Sequence, residues 1–249
     1  MKIAIYGDSF AAHHADINRD RDGQRIERDN GKGWPEILAD QHEVQNFGES
    51  GTAFMFSYEL FLKNYKNFDL NIFVPTVPSR LYVKALDGIL VFGLGYLDFQ
   101  LDRLKKIPFY DRRDTHLEIL KSVRVYLELW VDDDIQRHIQ HGLINNLWNL
   151  APNTLIVPGF EDSIEQTTFN LQELARYELS LIDKDAFSKF NIENMLCKRK
   201  CHFSEENNKV IAKHMLSCIE SGEKIFVLDK SEILKPSREF SFYVEELKL

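Results

Sequence analysis

Residues 2–10 read KIAIYGDSF, an apolar run that stops abruptly at Gly7, Asp8 and Ser9. A continuous apolar run of this length is typical of a central parallel strand that helices cover on both faces. The small, acidic and hydroxyl residues that follow such a strand lie at the edge of the sheet, where open parallel sheets bind their ligands. Ser9 is therefore the first candidate functional residue, although Gly-Asp-Ser is also a common turn and helix-capping sequence.

Further strand and helix patterns alternate along the chain. Short apolar strands that end near glycine or proline are predicted at Glu43–Phe47, Asp69–Thr76 and Asn153–Pro158. Helices are predicted at Trp34–Ala39, Ala53–Lys66, Thr115–Leu150 with a break near residues 132–134, and Ser204–Ile219. This alternation predicts an α/β fold in which a parallel sheet lies between helical layers.

Composition limits the classes of function. A chain of 249 residues with 44% hydrophobic and 28% charged residues fits one α/β domain. Its formal net charge of −8 gives no global positive field that would hold nucleic acid or a membrane surface. The first apolar run is too short for a signal peptide, and no stretch approaches the roughly 20 apolar residues of a membrane helix. We therefore expect a cytoplasmic protein.

The cysteine pattern gives no sign of a disulfide framework or a metal site. Cys197, Cys201 and Cys218 make an odd, low count that fits a reducing compartment. Cys197 and Cys201 with His202 supply too few ligands for a zinc site, and the adjacent His13 and His14 would point in different directions on a helix. We expect no metal and no cofactor.

Three short motifs in this order resemble the SGNH or GDSL hydrolases, a family of serine esterases and acylhydrolases. The family's first block corresponds to Gly7-Asp8-Ser9. Its second corresponds to Gly33-Trp34-Pro35 and then to residues 46–52, where Gly51 is the better match for the block's glycine and Gly48 is the alternative. Its last block corresponds to residues 201–208 and carries His202. The resemblance covers about residues 1–219.

The resemblance implies a three-layer α/β/α sandwich with a flavodoxin-like parallel sheet. It implies an SGNH-like domain at residues 1–220, in which the polar segment 11–33 forms a loop or lid, and a C-terminal extension at residues 221–249. It also implies that Ser9 is the nucleophile and His202 the base. The backbone N–H groups of Ser9 and Gly51 would then stabilise the oxyanion.

Two departures from the family's pattern concern the chemistry directly. The third block, usually Gly-x-Asn-Asp, is replaced by residues 75–80, so Thr76, Ser79 or Arg80 takes the place of its asparagine. Arg199 stands where an acid three residues before the histidine is usual. His202 would then be oriented by a backbone carbonyl or by an acid from elsewhere, because triads are defined by geometry. The residues expected to line the pocket are Asp8, His13, Arg80 and Arg199.

Three functions follow from this resemblance. The first is hydrolysis of a small acyl ester, such as an O-acetyl group on a carbohydrate, through a Ser9 acyl-enzyme. The second is a noncatalytic SGNH-like module, for instance a subunit of a phage particle. The third is acyl transfer to a sugar or another alcohol. The expected partner is a small-molecule or carbohydrate ester, with neither nucleic acid nor membrane, and the sequence leaves the oligomeric state open.

Overall fold

Four parallel strands form the centre of the molecule. A computed structural model describes residues 1–12, 32–49, 51–78, 80, 97, 101, 113–160, 163–164, 170–182 and 203–235. Within these ranges the strands pair in the order β2-β1-β3-β4. Their bounds are Lys2–Gly7 (β1), Glu43–Asn46 (β2), Leu70–Val74 (β3) and Thr154–Ile156 (β4). All four predicted strands are confirmed, the last three with shorter bounds.

A fifth segment runs beside β4. The Ile156 N–H donates to the Lys224 carbonyl at 2.8 Å, and the Phe226 N–H donates to the Ile156 carbonyl at 2.8 Å. Phe226, Leu228 and Ile233 are buried in the same hydrophobic cluster as β1. The described part of the predicted C-terminal extension therefore belongs to the core of the domain.

Helices cover both faces of the sheet. Their bounds are Trp34–Ala39 (α1), Phe54–Asn64 (α2), Arg113–Trp130 (α3), Asp133–Leu150 (α4), Leu171–Ile182 (α5) and Glu205–Ser221 (α6), with 3₁₀ turns at Tyr65–Asn67 and Lys230–Glu232. Because side chains alternate along a strand, Ile3 and Ile5 pack with α1, α5 and α6, whereas Ala4 and Tyr6 pack with α2 and α4. The predicted α/β fold is confirmed.

Local sequence explains most helix bounds. Pro35 lies in the first turn of α1, where its missing N–H breaks no helical hydrogen bond. Asp132 separates α3 from α4 because its carboxylate accepts hydrogen bonds from the N–H groups of Asp134 and Ile135, which confirms the predicted break. Helix α5 was not predicted.

The strand order fixes where a ligand would bind. β1 lies between β2 and β3, so the chain continues from β1 to β2 on one side and from β3 to β4 on the other, and open α/β sheets bind ligands beyond the carboxyl ends of the strands at such a point. Asp8 and Ser9 follow β1, while Thr76 and Arg80 follow β3. Among the described helices, none is both long enough and apolar enough to cross a bilayer.

Candidate active site

Ser9 lies in a helical turn directly after β1. The Asp8 carbonyl accepts hydrogen bonds from the N–H groups of Ala11 and Ala12, both at 2.9 Å. The Asp8 carboxylate accepts a third from the Phe10 N–H at 3.1 Å, so Asp8 caps the turn. Ser9 is therefore the first residue of a capped turn and is partly exposed.

The loop after β2 wraps around the end of β1. The Glu49 N–H donates to the Gly7 carbonyl at 3.1 Å, and the Thr52 hydroxyl approaches the same carbonyl at 3.2 Å. Gly51, between them, has a φ of 80°, a left-handed conformation that favours glycine. The Gly51 N–H makes no hydrogen bond to any described residue, so it stays the candidate oxyanion donor of this loop.

Gly48, the alternative donor, is engaged inside the protein. Its N–H donates to Asn46 Oδ1 at 2.7 Å, and Asn46 Nδ2 donates to the Ala11 carbonyl at 2.6 Å. A Cβ atom at position 48 would lie 2.6 Å from the Ala11 carbonyl carbon. Gly48 therefore allows close backbone packing, and its N–H is not directed at a substrate.

The segment after β3 carries Thr76 and Arg80, which the resemblance sets against the family's third block. Thr76 is buried, and its carbonyl accepts a hydrogen bond from Gln140 Nε2 at 2.8 Å. The same Gln140 nitrogen reaches the Ser163 carbonyl at 3.1 Å. One amide thus joins the segment after β3 to the segment after β4.

Arg80 and Asp8 form a buried ion pair behind Ser9. Arg80 Nη1 lies 2.5 Å from Asp8 Oδ2, and the two side chains are 9% and 0% exposed. The guanidinium also lies over the ring of Phe160, 4.5 Å from its centroid. Burial raises the pKa of the Asp8 carboxyl, whereas the charge of Arg80, the Phe10 N–H and the Thr76 hydroxyl oppose that rise.

The residues that follow His202 pack against the Ser9 turn. The rings of Phe203 and Phe10 are buried, with centroids 6.0 Å apart. Ser204 caps α6, because its hydroxyl accepts a hydrogen bond from the Asn207 N–H at 3.2 Å. The start of α6 therefore lies at the same edge of the sheet as the turn after β1.

Trp34 connects the Ser9 turn to α6. Its indole Nε1 donates to the Phe10 carbonyl at 2.7 Å, and its backbone N–H donates to Asn208 Oδ1 at 3.1 Å. Trp34 is 1% exposed. The three segments that resemble the family's blocks are thus joined by hydrogen bonds and ring contacts.

Glu178 on α5 is a buried acid that the sequence reasoning missed. It is 0% exposed, and its Oε1 accepts a hydrogen bond from the Ser204 N–H at 2.9 Å. Two features of the sequence could have identified α5. Asn170 accepts a hydrogen bond from the Glu173 N–H as a helix cap would, and Leu171, Leu174 and Ala175 follow a helical spacing.

The structure thus brings together Asp8, Ser9, Gly51, Thr76 and Arg80 at one edge of the sheet. His13, Ser79, Arg199 and His202 lie outside the described residues, as do Cys197, Cys201 and most of the predicted lid. Within the described ranges no three His, Cys, Asp or Glu side chains form a group that could hold a metal ion.

Comparison with known proteins adds no family assignment. No model of a known protein family matches the chain, and no curated protein matches it significantly.

Proposed function

We propose that this protein is a serine esterase of the SGNH type and that Ser9 forms the acyl-enzyme. The contact between Phe10 and Phe203 carries the proposal. Phe10 directly follows Ser9, and Phe203 directly follows His202. Consecutive Cα atoms are about 3.8 Å apart, so this contact limits how far apart positions 9 and 202 can lie in the fold.

The strand order supports the SGNH fold. With the segment 224–226 beside β4, the order of parallel segments is that of flavodoxin-like doubly wound sheets. Ser9 follows β1 at the switch point of this order. A nucleophile at this position faces the crevice in which such sheets bind ligands.

The proposed reaction proceeds through two tetrahedral intermediates. The Ser9 hydroxyl attacks the ester carbonyl while His202 takes the hydroxyl proton, and the histidine then gives that proton to the departing alcohol. Water next attacks the acyl-enzyme with His202 as base, and the carboxylic acid leaves as Ser9 regains its proton. The N–H groups of Ser9 and Gly51 stabilise both oxyanions.

Glu178 is our candidate for the acid that orients His202. It is fully buried, and it contacts the N–H of Ser204, two residues after His202. Two residues span at most about 7 Å between Cα atoms, a distance that an imidazole and a glutamate side chain together can bridge. A carboxylate from α5 would then replace the acid that is missing at position 199.

The resemblance favours a small acyl group, and an O-acetyl group on a carbohydrate is the substrate class that we propose. We also propose a cytoplasmic location, as we expect from the sequence.

Acyl transfer to an alcohol would use the same acyl-enzyme, and a product that forms only when the acceptor is present would identify it.

The alternative is a noncatalytic module, such as a subunit of a phage particle. One observation favours it: Arg80, in the segment that the resemblance sets against the third block, donates from its guanidinium to Asp8 and to the Thr52 carbonyl. Such an ion pair can stabilise the fold of a protein that has no enzymatic activity.

Hydrolysis of p-nitrophenyl acetate and longer p-nitrophenyl esters by the purified protein tests the proposal. We expect turnover that is lost in Ser9→Ala and in His202→Ala. Ser122→Ala and His214→Gln are the matched controls: Ser122 is exposed on α3, His214 on α6 is half-buried against Phe226 and Glu232, neither has a described contact with the Ser9 turn, and both variants should keep full activity. A folded protein with no turnover on the whole series would favour the noncatalytic module.

A further inference from the structure

We propose that Arg80 is a positioning residue of this site: its guanidinium holds the turn that carries Ser9 and the loop that carries Gly51 at a fixed separation. This inference rests on the proposed function, because it assigns Arg80 a role in that reaction. Arg80 would act through Asp8 and Thr52, without contacting the substrate.

One nitrogen of Arg80 connects the two segments. Nη1 lies 2.5 Å from Asp8 Oδ2 and 3.3 Å from the Thr52 carbonyl oxygen. Asp8 directly precedes Ser9, and Thr52 directly follows Gly51. The proposed nucleophile and the proposed oxyanion donor are therefore each one residue away from a group that the same guanidinium holds.

The orientation of Asp8 sets the turn itself. While Oδ2 binds Arg80, Oδ1 accepts the Phe10 N–H at 3.1 Å. A rotation of this carboxylate would release the cap of the Ser9 turn. The ion pair thus determines the direction in which the first residue of the turn projects.

Arg80 is itself fixed to the rest of the domain. Its guanidinium lies over the Phe160 ring, and its backbone N–H donates to the Val77 carbonyl at 3.3 Å. Gln140 holds the Thr76 carbonyl of the same segment. Arg80 therefore links the segments after β3 and β4 to the Ser9 turn and to the loop that carries Gly51.

The chemistry of the guanidinium suits this role better than an ammonium group would. A guanidinium is planar and rigid, with several donors in fixed directions, and it stacks on aromatic rings. A lysine offers one flexible point charge at this position. A displacement of about 1 Å between reacting groups can lower a rate about 10²-fold, so a looser link would reduce catalysis even in a folded protein.

The experiment compares Arg80→Lys and Arg80→Ala with the wild-type protein. The readouts are the rate of labelling by a fluorophosphonate, and kcat and KM for p-nitrophenyl acetate. We expect both variants to lose about 10- to 100-fold in kcat and in labelling rate with little change in KM, because the positions of the reacting groups change. Guanidinium chloride at a concentration below unfolding should restore part of the rate in Arg80→Ala, whereas sodium chloride should not.

Arg124→Ala is the matched control. Arg124 also forms an ion pair, with Glu128 at 2.8 Å, but on an exposed helix surface. This variant should label at the wild-type rate. If Arg80→Ala does not fold, the double variant Asp8→Asn, Arg80→Met removes both charges and takes its place. Two results together would overturn the inference. One is that folded Arg80→Lys labels at the wild-type rate, and the other is that folded Arg80→Ala, or the folded double variant in its place, also does so.

Hydrogen exchange separates this inference from the proposed function. Exchange of the amides in residues 47–53 and 8–12 should rise together in Arg80→Lys and stay unchanged in Arg124→Ala. Absence of labelling in the wild-type protein would reject the proposed function, and the coupled exchange would then still test the link. Exchange that stays at the wild-type level in both segments would reject the link itself.

Discussion

The ring centroids of Phe10 and Phe203 lie 6.0 Å apart in the core beneath the carboxyl edge of the sheet. Each ring belongs to the residue directly after a candidate catalytic residue, Ser9 in one case and His202 in the other. Positions 193 residues apart in the chain are therefore joined by a contact between two buried rings.

Phe10→Leu should weaken the link between the Ser9 turn and α6. A smaller side chain loses ring contacts with Phe160 and Phe203, so we expect a loss of about 1–2 kcal/mol in the free energy of unfolding. Labelling of Ser9 should slow by about tenfold or more, because the nucleophile and the base lose their common support. Urea unfolding and labelling kinetics measure the two effects. A variant that is less stable but is labelled at the wild-type rate would show that this contact stabilises the hydrophobic core and does not position Ser9.

Three glycine-to-alanine variants separate the roles of the glycines. Gly48→Ala should lower stability by about 1–3 kcal/mol, because its Cβ would meet the Ala11 backbone. Gly51→Ala should lower it by about 1–2 kcal/mol through its positive φ, and it should also lower kcat. Gly142→Ala is the control: it lies in α4 with open space around its Cβ position, and it should stabilise the protein by about 1 kcal/mol with unchanged activity.

Equilibrium unfolding and ester hydrolysis measure these glycine variants side by side. If Gly48→Ala loses kcat while a folded Gly51→Ala keeps it, the assignment of the oxyanion donor to Gly51 is wrong.

Much of this arrangement follows from local patterns in the sequence. The apolar run of β1 and its stop at Gly7 predict a buried strand with Ser9 at its end, because a fully apolar strand needs cover on both faces. The cap at Ser204 and the apolar stripe of α6 are also readable from spacing alone. The strand order cannot be predicted in this way, because no local sequence pattern determines which strands pair.

Removal of Arg80 should make stability depend more strongly on pH. Burial raises the pKa of Asp8, and Arg80 is the strongest contact that opposes the rise, so the folded-state pKa should rise further in Arg80→Met. A carboxyl whose folded-state pKa lies above its unfolded value adds stability at low pH, and that stability is lost as the pH rises through the folded-state pKa. We therefore expect Arg80→Met to lose about 3–5 kcal/mol near neutral pH and less in acid.

Urea unfolding at several values from about pH 4 to pH 8 measures this slope. The control is the double variant Asp8→Asn, Arg80→Met, which has no carboxyl at position 8 and should lack the added slope. Equal pH slopes in the single and double variants would contradict the assignment of the effect to Asp8.

Glu178→Gln tests the proposed orienting acid. Glutamine keeps an oxygen that can accept the Ser204 N–H, so the free energy of unfolding should change by less than about 1 kcal/mol. Loss of the charge should lower kcat by about 10²- to 10⁴-fold with KM almost unchanged, because the histidine loses the partner that orients it. The control is Glu173→Gln on the same helix. A variant with wild-type kcat would show that Glu178 only supports the start of α6.

Long-range partners explain what sequence patterns missed at the site. Arg80 meets Asp8 across 72 positions and Glu178 meets Ser204 across 26, and neither pair has a local spacing that would reveal it. Thr76 was expected as a possible oxyanion donor, and it is buried, with its hydroxyl close enough to Asp8 to lower the pKa of that carboxyl. Such contacts depend on the strand order, which brings the ends of β1 and β3 side by side.

Reaction of the wild-type protein with a fluorophosphonate, followed by mass mapping of the adduct, tests the central claim most directly. We predict one adduct per chain, on Ser9, with none in Ser9→Ala and an unchanged adduct in Ser122→Ala. A folded protein that stays unlabelled, or that carries its adduct on another serine, would contradict the account of Ser9 as the nucleophile.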